Sequence, residues 1–172
     1  MTERWMPVVG WEGWYEVSDR GRVRSIPRSI VRSNGWPQTF RGKVLSPGSV
    51  GKAGHVAVGL WKGGKIVSRS IHLLVLTAFV GPRPNGMQAC HNNGVPDDNR
   101  LENLRWDTPS ANSYDRVKHG HDRLANRTHC NNGHEFTPEN TILRISEGSG
   151  RRCRTCRTAY SREYKQRRKA TQ

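Results

Sequence analysis

Gln88-Ala89-Cys90-His91 … Asp98-Asn99-Arg100-Leu101-Glu102-Asn103-Leu104-Arg105-Trp106 … Asn112 is the stretch on which the fold of this 172-residue chain turns. A histidine stands ahead of Asn92-Asn93-Gly94-Val95-Pro96-Asp97-Asp98-Asn99, a run dense in turn formers. That run fits an extended loop between two short strands. Asn103 follows, and its carboxamide can tie the loop shut by bonding backbone groups. Thr108 then caps a helix that has Pro109 at its first position and runs to about residue 118. Asn112 falls one turn into that helix. Two strand-like arms are therefore followed by a helix that carries a side-chain oxygen toward a cation.

Working outward, residues 71–80 change period. Ile71, Leu74, Val75, Ala78 and Phe79 make an amphipathic helical stripe, which Gly81-Pro82 ends. Residues 1–70 read as β-rich. Tyr15-Glu16-Val17 and Arg22-Val23-Arg24 flank a turn at Asp19-Arg20-Gly21. Val44-Leu45, His55–Trp61 and Lys65–Ser68 are further strands, the last two joined by a hairpin turn at Lys62-Gly63-Gly64. Residues 120–129 read as a linker, and 130–172 hold a Cys/His cluster and a basic tail, helical from Arg157 onward.

The formal net charge is +15, with 33% hydrophobic and 25% charged residues. A core spanning all 172 residues is not expected; two or three small units are. So much positive charge opposes compaction unless a polyanion is near, and Lys and Arg on phosphates release counterions. Nucleic acid is the expected partner. No run approaches the ~20 apolar residues of a membrane span, and no apolar signal region opens the chain, so a cytoplasmic location is expected. The four cysteines do not form a disulfide framework, which implies a reducing compartment.

Hydrolysing a phosphodiester needs a base for water, a cation for the phosphoryl and leaving oxygens, and a rigid frame. His91 is the base candidate, because imidazole titrates near neutrality. Arg116 and His119, at i+4 and i+7 from Asn112, are either phosphate contacts or polar surface. His72 is either a group supporting the site or a helix-start polar residue. In the tail, Cys130-x3-His134 and Cys153-x2-Cys156 supply two close pairs of tetrahedral N/S ligands, as structural Zn²⁺ requires. His129 is the substitute for His134. A segment so short and polar would draw its folding energy from the metal.

The segment from about Ile71 to Asn112 resembles HNH homing-type endonucleases of phages and mobile introns. Ile71-His72-Leu73-Leu74-Val75 with Ala78-Phe79 resembles the helix that family places before its motif, and Asn99–Trp106 resembles its Asn-Asn-Arg-x-Glu-Asn-Leu-x-Trp run. The resemblance implies an α+β protein: a small N-terminal antiparallel β module over 1–70, a central ββα-metal core over 71–119, and a zinc-stabilised C-terminal module with a basic helix. It implies His91 as general base, Asn103 as structural asparagine and Asn112 as helix ligand to Mg²⁺, Mn²⁺ or another hard divalent ion. The implied activity is metal-dependent cutting or nicking of double-stranded DNA, leaving 5′-phosphate and 3′-hydroxyl ends; the setting is the cytoplasm of a bacterial host if phage-encoded, and the oligomeric state stays open, a monomer favouring nicking and a dimer able to cut both strands.

Cys90 departs from the family pattern, which places a metal-binding Asp before the base. Either Cys90 ligates with a shifted metal preference, or substrate and water oxygens fill its place, or it is a buried thiol. Trp11–Ser25 resembles a nuclease-associated DNA-binding motif. There Arg20, Arg22 and Arg24 share a strand face that can lie in a groove. Arg151, Arg152, Arg154 and Arg157 extend the basic surface of the tail. The rival reading, supported by Cys90, is a DNA-binding regulator or packaging accessory that no longer cuts.

Overall fold

The structure, a computed structural model, describes residues 2–144 and 150–170. Residue 1 of the expected 1–70 module and residues 145–149 and 171–172 of the expected tail lie outside the described residues. The chain divides into two compact units, Met1–His119 and Gly120–Gln172.

The first unit opens with a meander of β1 (Trp5–Pro7), β2 (Tyr15–Ser18) and β3 (Val23–Ser25). The turn between β2 and β3 is at Asp19-Arg20-Gly21, and Gly21 takes a φ of 75° that only glycine adopts freely. A hairpin follows, β4 (Arg28–Val31) with β5 (Pro37–Phe40). Next comes a three-stranded sheet of β6 (Gly48–Val50), β7 (His55–Lys62) and β8 (Lys65–Ser70). Gly63 and Gly64, at φ 60° and 78°, make the two-residue turn that pairs Lys62 with Lys65.

Helix α1 (Ile71–Phe79) leads to the ribbon of β9 (Gln88–His91) and β10 (Leu104–Asp107), and then to α2 (Pro109–Lys118). Alternation along the ribbon sorts its side chains. Ala89, His91, Leu104 and Trp106 share one face, and Gln88, Cys90, Arg105 and Asp107 share the other. The first face turns to α1, where Leu104 is buried and the Trp106 indole donates to the Gly81 carbonyl at 3.2 Å. The second faces α2, which Arg105 fastens through Asp115 while holding Asp107 at 2.8 Å. Thr108 Oγ1 accepts from Ala111 N at 3.2 Å, the expected cap.

One core runs through the unit: Val8, Tyr15, Val17 and Val23 from the meander, Val58 and Leu60 from β7, Ile71, Leu74, Val75 and Leu76 from α1, and Leu104 from β10. This core crosses the expected boundary at 70/71. Helix α1 and Leu104 of β10 pack into the apolar interior of the β module, so 1–70 and 71–119 share one interior. Helix α1 touches the meander, the second sheet and the ribbon, which is why Leu76, outside the predicted stripe, is also fully buried.

In the second unit, β11 (Thr141–Arg144) pairs with β12 (Gly150–Cys153), and α3 (Arg154–Ala170) follows. The helix starts three residues before the expected Arg157, because Asn140 Oδ1 accepts from Thr155 N at 3.0 Å and so serves its N-terminus. The segment expected as a linker, 120–129, makes contacts within this unit. Arg151 Nη2 lies 2.7–2.9 Å from the carbonyls of Leu124, Ala125 and Arg127, which ties that segment into the unit.

Candidate functional site

The loop between β9 and β10 is held by its asparagines. Asn103 is 6% exposed. Its Nδ2 donates to Asp98 O at 2.8 Å and Asn93 Oδ1 at 2.9 Å, while its Oδ1 accepts from Asn93 N at 3.0 Å. Every polar atom of that carboxamide is satisfied across the loop, the tie expected of it. Arg100 bonds both oxygens of Asp98 at 2.8 Å, and that bond holds the carboxyl down at about 2.

His91 ends β9 at the mouth of this loop. Its Nε2 lies 3.3 Å from Asn99 Oδ1, and Asn99 Nδ2 donates to Asp97 O at 3.0 Å. The second bond fixes which end of the carboxamide faces His91. The ring therefore donates from Nε2 and keeps its lone pair on Nδ1. Burial pushes the imidazole below its ordinary value, against the Asn99 bond, so it is neutral at neutral pH.

Two further histidines face it. His55 heads β7 and His72 lies in the first turn of α1. Ring centroids are 4.9 Å apart for His55–His72 and 5.5 Å for each of these with His91. One ring nitrogen from each lies within 4.8 Å of the others. Burial, then the neighbouring imidazoles, lowers His72 to about 4. Sequence reasoning left His55 as a strand residue; no spacing rule connects it to His91. His72, at the start of α1, thus stands beside the ring of His91.

Asn112 and Cys90 occupy the other side of the ribbon. Asn112 Nδ2 donates to Gln88 Oε1 at 3.0 Å. Cys90 is 1% exposed, burial raises its thiol, and its Sγ is 3.7 Å from Gln88 O. The oxygen of Asn112 suits a hard divalent ion, whereas a buried protonated thiol does not. Among the described residues no hydrogen bond links His91 with Asn112. His119 is the C-cap of α2, not a member of its face, and its ring lies against Gly94: a Cβ there would stand 2.8 Å from Cγ and Cδ2.

The arginines divide. Arg22 pairs with Glu3 and Arg24 with Glu16, and both lie over the Trp5 ring, at 5.8 and 4.1 Å. They share a face, as expected, but acidic partners hold them there. Arg20 is exposed in the turn, and Arg116 is exposed on α2. In the second unit Arg152, Arg154 and Arg157 are exposed, Arg154 bonding Glu139 O at 2.8 Å. Arg151 is exposed too, and its guanidinium reaches the carbonyls already named and lies 4.9 Å from the Phe136 ring.

The tail brings its four donors together. Ligand atoms of Cys130, His134, Cys153 and Cys156 all lie within 4.8 Å. Cys130 Sγ is 3.4 Å from His134 Nδ1 and 3.7 Å from Cys156 Sγ. Cys156 N points at Cys153 Sγ from 3.5 Å, and this bond brings the Cys153 thiol down to about 6. His129, the alternative ligand, instead bonds Thr128 Oγ1 at 2.9 Å. The cluster is a four-donor Cys₃His set able to hold a metal ion.

A ribbon, a loop closed by asparagine and a following helix, with histidine at the ribbon's end, define the ββα-metal class. Residues 69–114 match the HNH endonuclease family and residues 3–59 match the NUMOD4 motif, so the chain carries an HNH endonuclease domain behind a NUMOD4 segment. DNA endonuclease I-HmuI of Bacillus phage SP01 is 33% identical over 116 residues, 67% of this chain and 59% of the relative. A solved structure titled for DNA binding and cleavage by the HNH homing endonuclease I-HmuI superposes with a TM-score of 0.56 at 31% identity, over 71% of this chain and 62% of that one. The chain spans about three-fifths of the length of these relatives. No helix among the described residues is long and apolar enough to cross a membrane.

Proposed function

We propose that this chain is a metal-dependent endonuclease acting on double-stranded DNA. The observation that carries the reading is the neutral His91, anchored through Nε2 by Asn99 at the mouth of a loop closed by Asn103. A base needs a lone pair at neutral pH and a fixed ring, and both conditions are met. His91 Nδ1 takes a proton from water. Asn99 keeps the tautomer, and Asn103 keeps the loop in register. Asn112 would hold the divalent ion through its oxygen, with Cys90 a poor partner for a hard ion. When bound, that ion supplies charge stabilisation for the phosphoryl and departing 3′-oxygens. The products are 5′-phosphate and 3′-hydroxyl ends.

Arg20, Arg22, Arg24, Arg116, Arg152, Arg154 and Arg157 are the proposed backbone contacts, consistent with the +15 charge. Zn²⁺ is the proposed ion of the tail. At a Zn–S distance of about 2.3 Å, tetrahedral sulfurs stand about 3.8 Å apart, close to the 3.7 Å between Cys130 and Cys156. A monomer in the cytoplasm of a bacterial host is the proposed setting.

Plasmid nicking with Mg²⁺ or Mn²⁺, comparing wild type with His91→Ala, tests the activity. Cutting should fall about 10²–10⁴-fold in the variant while DNA binding persists. The second reading, a DNA-binding protein that does not cut, is favoured by the buried Cys90. Equal binding with no cutting by either protein would establish it.

A further inference from the structure

We propose that His55, His72 and His91 form a second metal site in the first unit, one that takes a borderline transition ion of the Zn²⁺, Co²⁺ or Ni²⁺ kind.

Three imidazoles from three elements, the start of β7, the first turn of α1 and the end of β9, meet with a nitrogen each inside a 4.8 Å span. Around an ion at Zn–N distances of about 2.0–2.1 Å, tetrahedral nitrogens stand about 3.3 Å apart. Small ring rotations cover the difference. Their present environment also leaves something unsatisfied. Nδ1 of His55 and Nδ1 of His72 are both buried with no hydrogen-bond partner. A buried polar atom without a partner is costly, and an ion between the rings would remove that cost. His91 is prepared in the way metal-bound histidines are: its far nitrogen donates to a carboxamide oxygen that is itself held by a second bond. All donors are imidazole nitrogens, which selects softer transition ions over Mg²⁺. Three protein ligands leave a fourth position open.

The donor set is distinct from that of Asn112, whose carboxamide donates to Gln88 Oε1 and offers an oxygen to a hard ion. An ion between the histidines engages the His91 lone pair, so it and proton abstraction by His91 exclude each other. The site itself does not depend on the nuclease reading, because it is read by ion content without DNA.

The test is Co²⁺ titration of the full-length, chelator-stripped, reduced protein, followed by visible spectroscopy and elemental analysis. Wild type should take up two equivalents at protein-level concentrations. One carries thiolate charge transfer and belongs to the tail. The other carries d–d bands alone. His55→Gln and His72→Gln, checked for folding by circular dichroism, should lose the second equivalent and keep the first. Cys153→Ser should do the reverse. Histidine ring ¹⁵N shifts of wild type titrated with Zn²⁺ give a readout that needs no variant: three rings outside the tail should respond together. Uptake of one equivalent by wild type, retention of the second by both histidine variants, or thiolate absorption in the second equivalent would overturn the proposal. Two equivalents without DNA cutting would uphold the metal site and defeat the nuclease; cutting with one equivalent would do the opposite.

Discussion

Gly21 and Asn99 are in backbone contact: a Cβ built on Gly21 would stand 2.8 Å from both the Cβ and the carbonyl oxygen of Asn99. Beside them Leu101 N donates to Asp19 O at 2.8 Å. The turn of the N-terminal meander thus rests on the loop residue that orients His91.

Gly21→Ala should therefore slow cutting more than it weakens DNA binding. It also meets backbone strain at φ 75°, worth roughly 1–3 kcal/mol. Gly13→Ala is the control, with the same φ and nothing within 4 Å. Denaturant melts and nicking rates compare the two. Equal losses would show that the contact with Asn99 carries no weight.

Asn103→Ala removes three hydrogen bonds of a buried carboxamide and leaves the Asn93 and Asp98 groups without their partner. The expected cost is about 1–3 kcal/mol. Amide exchange over residues 92–99 should accelerate while β2 and β7 keep their protection. Unchanged exchange in the loop would mean that Asn103 does not close it.

Acid titration should find the Asp98 carboxyl near 2 in wild type and nearer its ordinary 3.8 in Arg100→Gln. The folded value is depressed, so the contribution to loop stability is whole above 3.8 and is lost as pH falls through about 2. Carbon NMR of the carboxyl reads both proteins. A wild-type value near 3.8 would contradict the bidentate pairing with Arg100.

Chelation, or Cys153→Ser, should unfold Gly120–Gln172 and leave Met1–His119 folded, because Cys153 is the one buried hydrophobic residue among the described residues of the second unit, and the proposed ion would supply its folding energy. Limited proteolysis would then release a resistant N-terminal fragment. Loss of both units together would argue against a separate metal-held tail.

Cys90→Asp replaces a thiol with a hard-ion ligand. The Mg²⁺ concentration for half-maximal cutting should fall, on the order of tenfold, while stability drops because the position is 1% exposed. An unchanged Mg²⁺ requirement in a folded variant would place residue 90 outside the ion's reach.

What the sequence disclosed followed from periodicity and turn chemistry. The stripe of α1, the Thr108 cap, the Gly63-Gly64 hairpin and the Asn103 tie are each set by neighbours in the chain. β1, β4, β5 and β6 escaped because they are three or four residues long with little or no burial on either side, so no alternation marks them. The strand expected at Val44-Leu45 is a single bridge between Arg24 and Val44. His55 and Asn99 were illegible for another reason. Their roles depend on which elements α1 draws together, and that is a property of the whole core. Arg151 looked like surface charge, and only the tertiary turn at 124–127 shows its use.

The continuous interior shared by the meander, α1 and β10 bears on how such a gene can be recombined. Grafting a foreign segment at residue 70 would strip the HNH-matching part of the chain of half its apolar lining. Chimaeras that join instead at residues 119/120 fall at the boundary between the two compact units and leave that shared interior whole, so exchange of segments should succeed there and fail at residue 70.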